Sequence, residues 1–137
     1  MSESAAVLAA NTVFYRAFAA PDMAAMDGLW ASSLPVTCVH PGWDTLVGRD
    51  QVMESWRGIL LGAGPPPIRC RNETAFVHGD FAYVMCHEVI ERNRIVAINV
   101  FAREGGAWKM VHHQASPMAP GVERHEPPAV SASRRLH

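Results

Sequence analysis

The sequence predicts a single α+β domain in which helices come first and pack on one face of a highly curved antiparallel sheet. In the first half of the chain, apolar residues recur at three- and four-residue steps, which is typical of amphipathic helices. From Ile68 to Ala115 the pattern changes to alternation, which is typical of strands. Helices followed by strands are the order that favours an α+β domain.

Three helices are predicted in the first half. The first ends at Pro21, and Asp22 is the predicted N-cap of a short second helix. The third begins at Gly48 and ends at Gly62, where a Gly-Pro-rich run follows. The apolar stripe of the first helix comprises Val7, Ala10, Phe14, Ala17 and Phe18.

Two short strands are predicted between the second and third helices, at 36–40 and 45–47, because Pro41-Gly42 separates two extended segments. The second half then forms four consecutive strands joined as hairpins. The predicted turns are His78-Gly79-Asp80, Asn93-Arg94 and Gly105-Gly106.

The composition excludes several classes of protein. Of the 137 residues, 49% are hydrophobic, and the formal net charge is −1, so binding of nucleic acid through a basic surface is not expected. No apolar run approaches the ~20 residues that cross a membrane, so we expect no membrane partner. The cysteines Cys38, Cys70 and Cys86 lack paired spacing, which predicts reduced thiols in a cytoplasm rather than a disulfide framework or a zinc site. We expect no cofactor and no metal.

The last strands are apolar on both faces. Tyr83 and Met85 lie on one side of the predicted fourth strand, and Val84 and Cys86 lie on the other. The helices cover only one face, so we expect a second copy to cover the outer face and form a homodimer.

From Pro117 onward the chain is rich in proline and poor in large apolar residues, which predicts a flexible tail over 118–137 after a domain over 1–117.

A polar row crosses the predicted sheet. A two-residue turn at Asn93-Arg94 places Glu88 opposite Asn99, and one at Gly105-Gly106 places Asn99 opposite His112. Gln114 lies on the same face as His112. A three-residue turn in the last hairpin would place His113 on that face instead, so both histidines are candidates.

The row suits proton transfer next to a carbonyl group. Glu88 or a histidine (His112, otherwise His113 or His40) would be the base, and the Asn99 amide would stabilise an enolate oxygen. The alternative is structural, because buried Glu, Asn and His side chains often satisfy one another. A pocket that binds a small apolar molecule without reaction is the third possibility.

Other residues are weaker candidates for lining a pocket. His40 and Trp43 would stand at a cavity mouth, unless Pro41-Gly42 is a simple turn with a packed tryptophan. Trp56 lies on the inner face of the third helix, as either core or ligand platform, and Cys86 and Phe101 point to the same interior. No HxH or HExxH spacing supports a metal site.

Three segments resemble a known family. HPGW at 40–43, the segment Gly48–Ile59 and the segment Asn99–Pro117 resemble the SnoaL-like group of the nuclear-transport-factor-2-like superfamily, which includes ketosteroid isomerases. The resemblance covers roughly residues 5 to 118. It implies a cystatin-like cone, in which a highly curved sheet wraps a long helix around an apolar cavity and dimerises through its outer face.

The resemblance also bears on function. Characterised relatives isomerise, cyclise or dehydrate small carbonyl compounds, and their acidic oxyanion donor corresponds to Asn99 within one residue. Their general-base aspartate has no counterpart near 36–40, where His40 is the nearest titratable group. Tyr15 is the one tyrosine that matches their first-helix donor, and we assign it no role from the sequence. We therefore expect a pocket for a small carbonyl-containing metabolite in an enzyme of this kind, or a non-catalytic ligand-binding or dimerisation module.

Overall fold

A computed structural model of the chain describes residues 2–65 and 67–119. Three helices pack against the inner face of one six-stranded sheet, whose strand order is β2-β1-β6-β5-β4-β3. The elements are α1 (Glu3–Ala19), α2 (Met23–Leu29), β1 (Thr37–Val39), β2 (Leu46–Val47), α3 (Arg49–Leu61), β3 (Arg69–His78), β4 (Phe81–Ile90), β5 (Asn93–Glu104) and β6 (Ala107–Pro117). The tail predicted for 118–137 lies outside the described residues from 120 onward and stays a prediction.

The helix boundaries follow local capping. Ser2 accepts a hydrogen bond from the backbone of α1, and Asp22 caps α2 by accepting from the Ala25 N–H at 3.0 Å, which confirms its predicted role. Gly48 precedes α3 with φ at +92°, a conformation that glycine adopts at little cost. Its N–H also donates to the carbonyl of Val36 at 2.9 Å, which fixes the start of α3 beside β1.

The turn between β4 and β5 differs from the prediction. It lies at Glu91-Arg92 rather than Asn93-Arg94, because Glu91 takes a left-handed conformation with φ at +57°. Glu88 therefore pairs with Ile95, and Asn99 pairs with Val84. The two are not directly opposite. They still share the inner face, since a register shift of an even number of residues preserves the faces.

The last hairpin contains a β-bulge. Its turn at Gly105-Gly106 is the predicted one, but the register shifts between Val100 and Phe101. Past this point Asn99 pairs with His113, and His112 pairs with Val100 on the outer face. The prediction that His112 lies in the inner polar row is therefore wrong. The bulge in the strand, rather than a longer turn, places His113 there.

The short strand β1 closes the sheet next to β6. It runs parallel to β6, so the sheet is mixed, with an antiparallel meander over β3–β6. Cys38 pairs with His113 in this ladder. The pairing brings the end of β1, and with it His40, to the same interior as the inner face of β6.

Aromatic side chains fill the space between α1, α3 and the sheet. Trp56 is fully buried and meets Phe14 and Phe18 edge-on, with ring centroids 5.4 and 5.2 Å apart. Burying a side chain of this size contributes about 1.5–3 kcal/mol. Of the two roles predicted for Trp56, core residue and ligand platform, the structure therefore supports the core residue. No helix in the described ranges is long and apolar enough to cross a membrane.

Candidate functional site

Five buried polar side chains meet between α1 and the inner face of the sheet, each at most 7% exposed. The helix contributes two of them, one turn apart, and β4, β5 and β6 contribute one each. We call this set the interior network: Asn11, Tyr15, Glu88, Asn99 and His113.

Tyr15 and Asn99 connect the helix to the sheet. The Tyr15 hydroxyl donates to Glu88 Oε2 at 2.7 Å. The Asn99 amide donates to Tyr15 Oη at 3.1 Å and to Asn11 Oδ1 at 2.8 Å. Both amide hydrogens of Asn99 are therefore engaged. In this arrangement Asn99 orients Tyr15. Its predicted role, donation to a substrate oxygen, would require a free amide hydrogen, and neither hydrogen is free.

The Asn99 amide also determines which nitrogen of His113 carries the hydrogen. His113 Nδ1 lies 2.6 Å from Asn99 Oδ1, and an amide oxygen only accepts, so Nδ1 is the donor. In the neutral ring the lone pair then resides on Nε2. This atom lies 3.9 Å from Glu88 Oε2, so acid and imidazole are neighbours in the interior.

Burial sets the proton affinities of the network. Desolvation raises the pKa of Glu88 above its usual range, partly offset by the Tyr15 hydrogen bond. Burial, with His40 and His112 adding repulsion, lowers the pKa of His113 to about 3. Burial and the nearby Glu88 raise the pKa of Tyr15 well above its ordinary value. Near neutral pH, Glu88 is thus a better proton acceptor than His113.

Thiols border the network. Cys86 Sγ lies 3.4 Å from Tyr15 Oη, and the Asn11 amide donates to Cys70 Sγ at 3.7 Å. The predicted inward orientation of Cys86 and Phe101 is confirmed, since both are buried. Burial raises the pKa of the Cys38 thiol to about 12, so this group is a thiol at neutral pH.

A second buried polar pair lies beside Trp56. Ser55 donates its hydroxyl hydrogen to the Val52 carbonyl at 2.7 Å, so His40 Nε2, at 2.9 Å from Ser55 Oγ, is the donor to Ser55. Burial lowers the pKa of His40 to about 4. His40 is therefore a neutral core imidazole, and its ring centroid is 6.4 Å from that of His113.

Three predicted site residues lie away from the network. His112 Nδ1 contacts Thr37 Oγ1 at 2.7 Å on the outer face, and Gln114 is exposed there beside His112 Nε2. The prediction that Gln114 lines the interior is also wrong, because the bulge in β6 places Gln114 on the outer face together with His112. Trp43 is 48% exposed and meets His40 edge-on at 4.7 Å, outside the core.

An open groove between α1 and β3 reaches the network. Its volume is about 230 Å³, below the range of about 300–1,000 Å³ typical of drug-sized ligands. Tyr15 and Asn11 line it together with Cys70, and the exposed Arg16 and Glu73 flank it. Two members of the network, Asn11 and Tyr15, therefore form part of the groove wall.

The family follows from a direct match. The SnoaL-like domain family matches residues 7–120, which is most of the chain. The protein belongs to the SnoaL-like family. The resemblance inferred from the three sequence segments is thereby confirmed, and so is the α+β cone fold.

Solved structures support the assignment of this SnoaL-like domain. A Streptomyces avermitilis protein of the NTF2-like family, provisionally named a dehydratase, is 32% identical, with a TM-score of 0.79 over 85% of this chain and 96% of that one. A Thiobacillus denitrificans protein, provisionally named a calcium/calmodulin-dependent protein kinase type II association domain, is also 32% identical, with a TM-score of 0.70 over 81% and 94%. A cystatin-like fold protein from Burkholderia xenovorans shares the fold at 20% identity, with a TM-score of 0.72 over 84% and 91%.

A curated relative is also similar to the SnoaL-like domain. The F-box protein SKIP8 of Arabidopsis thaliana is 26% identical over 115 residues, which are 82% of this chain. The chain spans about half the length of that relative. The match therefore concerns one part of a longer protein.

Sequence reasoning missed the helix side of this SnoaL-like site. Asn11 and Tyr15 are two of the five network residues, but roles were predicted only for the three that lie on strands. The signal was the spacing of Val7, Asn11, Phe14 and Phe18, in which one amide occupies an otherwise apolar stripe. A buried amide on such a stripe needs hydrogen-bond partners, which predicts a polar site beneath it.

Proposed function

We propose that the protein is an acid/base enzyme that removes water from, or isomerises, a small carbonyl-containing metabolite bound in the groove. The observation that carries the proposal is the buried hydrogen bond from Tyr15 to Glu88, together with the place of Tyr15 among the residues that line the groove. The name of the 32% identical Streptomyces avermitilis protein favours dehydration over isomerisation.

Tyr15 and Glu88 act in this mechanism as a relay for one proton. The Tyr15 oxygen takes the proton from the carbon next to the substrate carbonyl, while its own hydrogen passes to Glu88. The C–H electrons then form the C=C bond as the β-hydroxyl group leaves. The relay returns its proton to that hydroxyl through Tyr15, so water departs and the pair regains its starting state. Isomerisation uses the same relay with the proton returned to another carbon.

The environment supports each half of the relay. Burial keeps Tyr15 protonated as a donor, and desolvation makes Glu88 a stronger proton acceptor than an exposed carboxylate. Asn99 holds the phenol oxygen at 3.1 Å and keeps it oriented toward Glu88. Burial lowers the pKa of His113 to about 3, so its ring is a weak proton acceptor, and in this mechanism it orients the network.

The test follows proton exchange rather than a complete reaction. The α-protons of cyclohexanone and of small β-hydroxy ketones are followed by NMR in heavy water, and ultraviolet absorbance detects any conjugated product. We expect exchange above the buffer rate, and a loss of about 100-fold or more in Tyr15→Phe and Glu88→Gln. Tyr83→Phe is the matched control, because Tyr83 lies on the outer face. A wild-type rate equal to buffer, or a fully active Tyr15→Phe, contradicts the proposal.

A non-catalytic module is the second candidate. The network residues donate to and accept from one another, as buried polar residues in a structural core do. The 32% identical Thiobacillus denitrificans protein also carries the name of an association domain. Saturable binding of the same ketones with no α-proton exchange in any variant would favour this candidate.

The assembly and location complete the proposal. Two copies pair through the outer face of the sheet, where Phe81 and Met85 are 46% and 42% exposed. The free thiols of Cys38, Cys70 and Cys86 favour a reducing cytoplasm. Sedimentation as a monomer at micromolar concentration contradicts the paired state.

A further inference from the structure

The Asn11 amide carries a hydrogen that the interior network leaves unused. Asn11 is only 2% exposed, and its Oδ1 accepts from the Asn99 amide at 2.8 Å. An amide nitrogen has two hydrogens to donate, and Asn11 Nδ2 donates one to Cys70 Sγ at 3.7 Å. Within residues 2–65 and 67–119 the other hydrogen has no acceptor. A buried donor without a partner is costly, so this atom calls for an explanation.

The neighbouring hydrogen bonds decide which way the Asn11 amide points. Tyr15 donates its own hydrogen to Glu88, so Asn99 approaches Tyr15 Oη with its nitrogen rather than its oxygen. The same Asn99 nitrogen donates to Asn11, which therefore presents its oxygen to Asn99. The nitrogen of Asn11 is then on the other side of the amide, toward Cys70.

Cys70 places this donor end beside the groove between α1 and β3. Asn11 and Cys70 both line the groove, and Cys70 is half-buried there. A hydrogen bond with Cys86 and burial raise the pKa of Cys70 above its ordinary value, so its sulfur stays a thiol near neutral pH. A thiol sulfur is a weak acceptor. An oxygen atom of a molecule in the groove would be a better partner for the Asn11 amide.

We propose that Asn11 binds the carbonyl oxygen of the substrate and donates to that oxygen as the enolate forms. This inference rests on the proposed function, whose relay removes a proton beside the carbonyl and leaves negative charge on the oxygen. Asn99 was the predicted donor to this oxygen, but both of its hydrogens are engaged within the network. Asn11 supplies the missing donor from the same helix as Tyr15.

The helix spacing brings this donor and the relay to the same part of the groove. Asn11 and Tyr15 are four residues apart on α1, so they lie on one face with Cβ atoms about 5–6 Å apart. Both side chains line the groove. A ketone that accepts from Asn11 through its oxygen therefore has its adjacent carbon on the side of Tyr15. The oxygen is held at one turn of the helix and the proton is removed at the next.

A neutral amide suits an oxygen that gains charge during the reaction. Hydrogen bonds to a charged acceptor are roughly twice as strong as those between neutral groups, so Asn11 binds the enolate more strongly than the ketone. The Asn99 contact holds the amide in place before the substrate arrives, so little reorganisation accompanies the reaction. The same donor selects molecules with a carbonyl oxygen at this position over hydrocarbons of the same shape.

Binding of cyclohexanone to the wild-type protein tests the contact directly. Titration with the ketone should move the NMR signal of the Asn11 side-chain amide proton downfield. Methylenecyclohexane, which has the same shape and no oxygen, should leave that signal in place. The infrared carbonyl stretch of the bound ketone should lie at lower frequency in the wild type than in Asn11→Leu. The amide signal is read in the wild type, so it remains decisive even if a variant does not fold.

Proton exchange in heavy water measures the effect on the reaction. Asn11→Leu removes the donor, and Asn11→Asp removes it while keeping an acceptor for Asn99. We expect each to lower the exchange rate of the cyclohexanone α-protons by about 100-fold, whereas the dissociation constant of the ketone rises less than about tenfold. The matched control is Asn93→Asp, the same substitution at the exposed first residue of β5, which should exchange at the wild-type rate. Circular dichroism verifies the fold of each variant.

The outcomes separate this inference from the proposed function. An Asn11 amide signal that stays in place at saturation with the ketone, or wild-type exchange in Asn11→Leu, overturns the role of Asn11 alone. A ketone-dependent shift of the Asn11 signal without exchange above the buffer rate supports Asn11 as the carbonyl donor and contradicts the acid/base function. A wild-type protein that does not bind the ketone overturns both.

Discussion

The hydroxyl of Tyr15 donates to Glu88 Oε2 at 2.7 Å, and this bond joins α1 to β4 across the interior of the cone. The same oxygen accepts from the Asn99 amide and lies 3.4 Å from Cys86 Sγ. One phenol therefore links a carboxyl group, an amide and a thiol that come from two different strands.

Removing that hydroxyl should destabilise the fold. In Tyr15→Phe, Glu88 loses its donor and Asn99 loses an acceptor, and each buried group left unpaired costs about 1–3 kcal/mol. Urea denaturation should show a loss of at least that size. Tyr83→Phe, on the outer face, should stay within about 0.5 kcal/mol of the wild type. Equal stability of the two variants would mean that the interior bond contributes nothing.

The buried histidines should make the fold sensitive to acid. His40 and His113 have folded-state pKa values lowered to about 4 and 3, so between those values and about 6.5 the unfolded chain binds protons that the native protein does not. Their stabilising contribution is complete above about pH 6.5 and is lost as the pH falls toward 4 and then 3.

The free energy of unfolding should fall within this window by up to about 1.4 kcal/mol per pH unit for each histidine. Denaturation curves collected at successive pH values measure the slope. His113→Asn should reduce the slope by the contribution of one histidine.

Glu88 should act in the opposite direction. Its folded-state pKa is raised, chiefly by desolvation, so its stabilising contribution is present below the unfolded value and is lost as the pH rises through the folded value. Glu88→Gln keeps an acceptor for Tyr15 and removes the buried charge. The stability of the variant relative to the wild type should therefore increase as the pH rises above about 4.5, the ordinary pKa of the group. A difference that does not change with pH would show that Glu88 is not desolvated.

The hydrogen-bond directions predict opposite tautomers for the two interior imidazoles. His113 should carry its hydrogen on Nδ1, since it donates to Asn99 Oδ1, and His40 should carry it on Nε2, since it donates to Ser55. Nitrogen-15 chemical shifts near neutral pH distinguish the two forms. Asn99→Ala should release the preference in His113 and leave His40 as it was.

Periodicity was sufficient to predict the order of the elements, because helices and strands bury their apolar residues at different spacings. The cap at Asp22 and the turn at Gly105-Gly106 were also predictable, since each depends on residues in direct sequence contact. The turn at Glu91-Arg92 was not, because asparagine is favoured over glutamate in left-handed conformations and Asn93 follows two residues later.

The site was harder to predict because it depends on long-range packing. Glu88 and Asn99 were placed on one face correctly even though their pairing was wrong by four residues, since only the parity of the register matters. The bulge beside Val100 changes that parity, and no glycine or proline marks it in the sequence. The contact of Tyr15 with Glu88 joins residues 73 positions apart and requires the helix to lie against the sheet.

The bulge in β6 has a consequence for the two consecutive imidazoles at its end. Slippage of β6 by one residue in one direction would place His112 instead of His113 opposite Asn99, whereas slippage the other way would place Gln114 there. The tandem imidazoles therefore preserve a ring nitrogen beside Asn99 against a single-residue slip in one direction, which one histidine alone would not do.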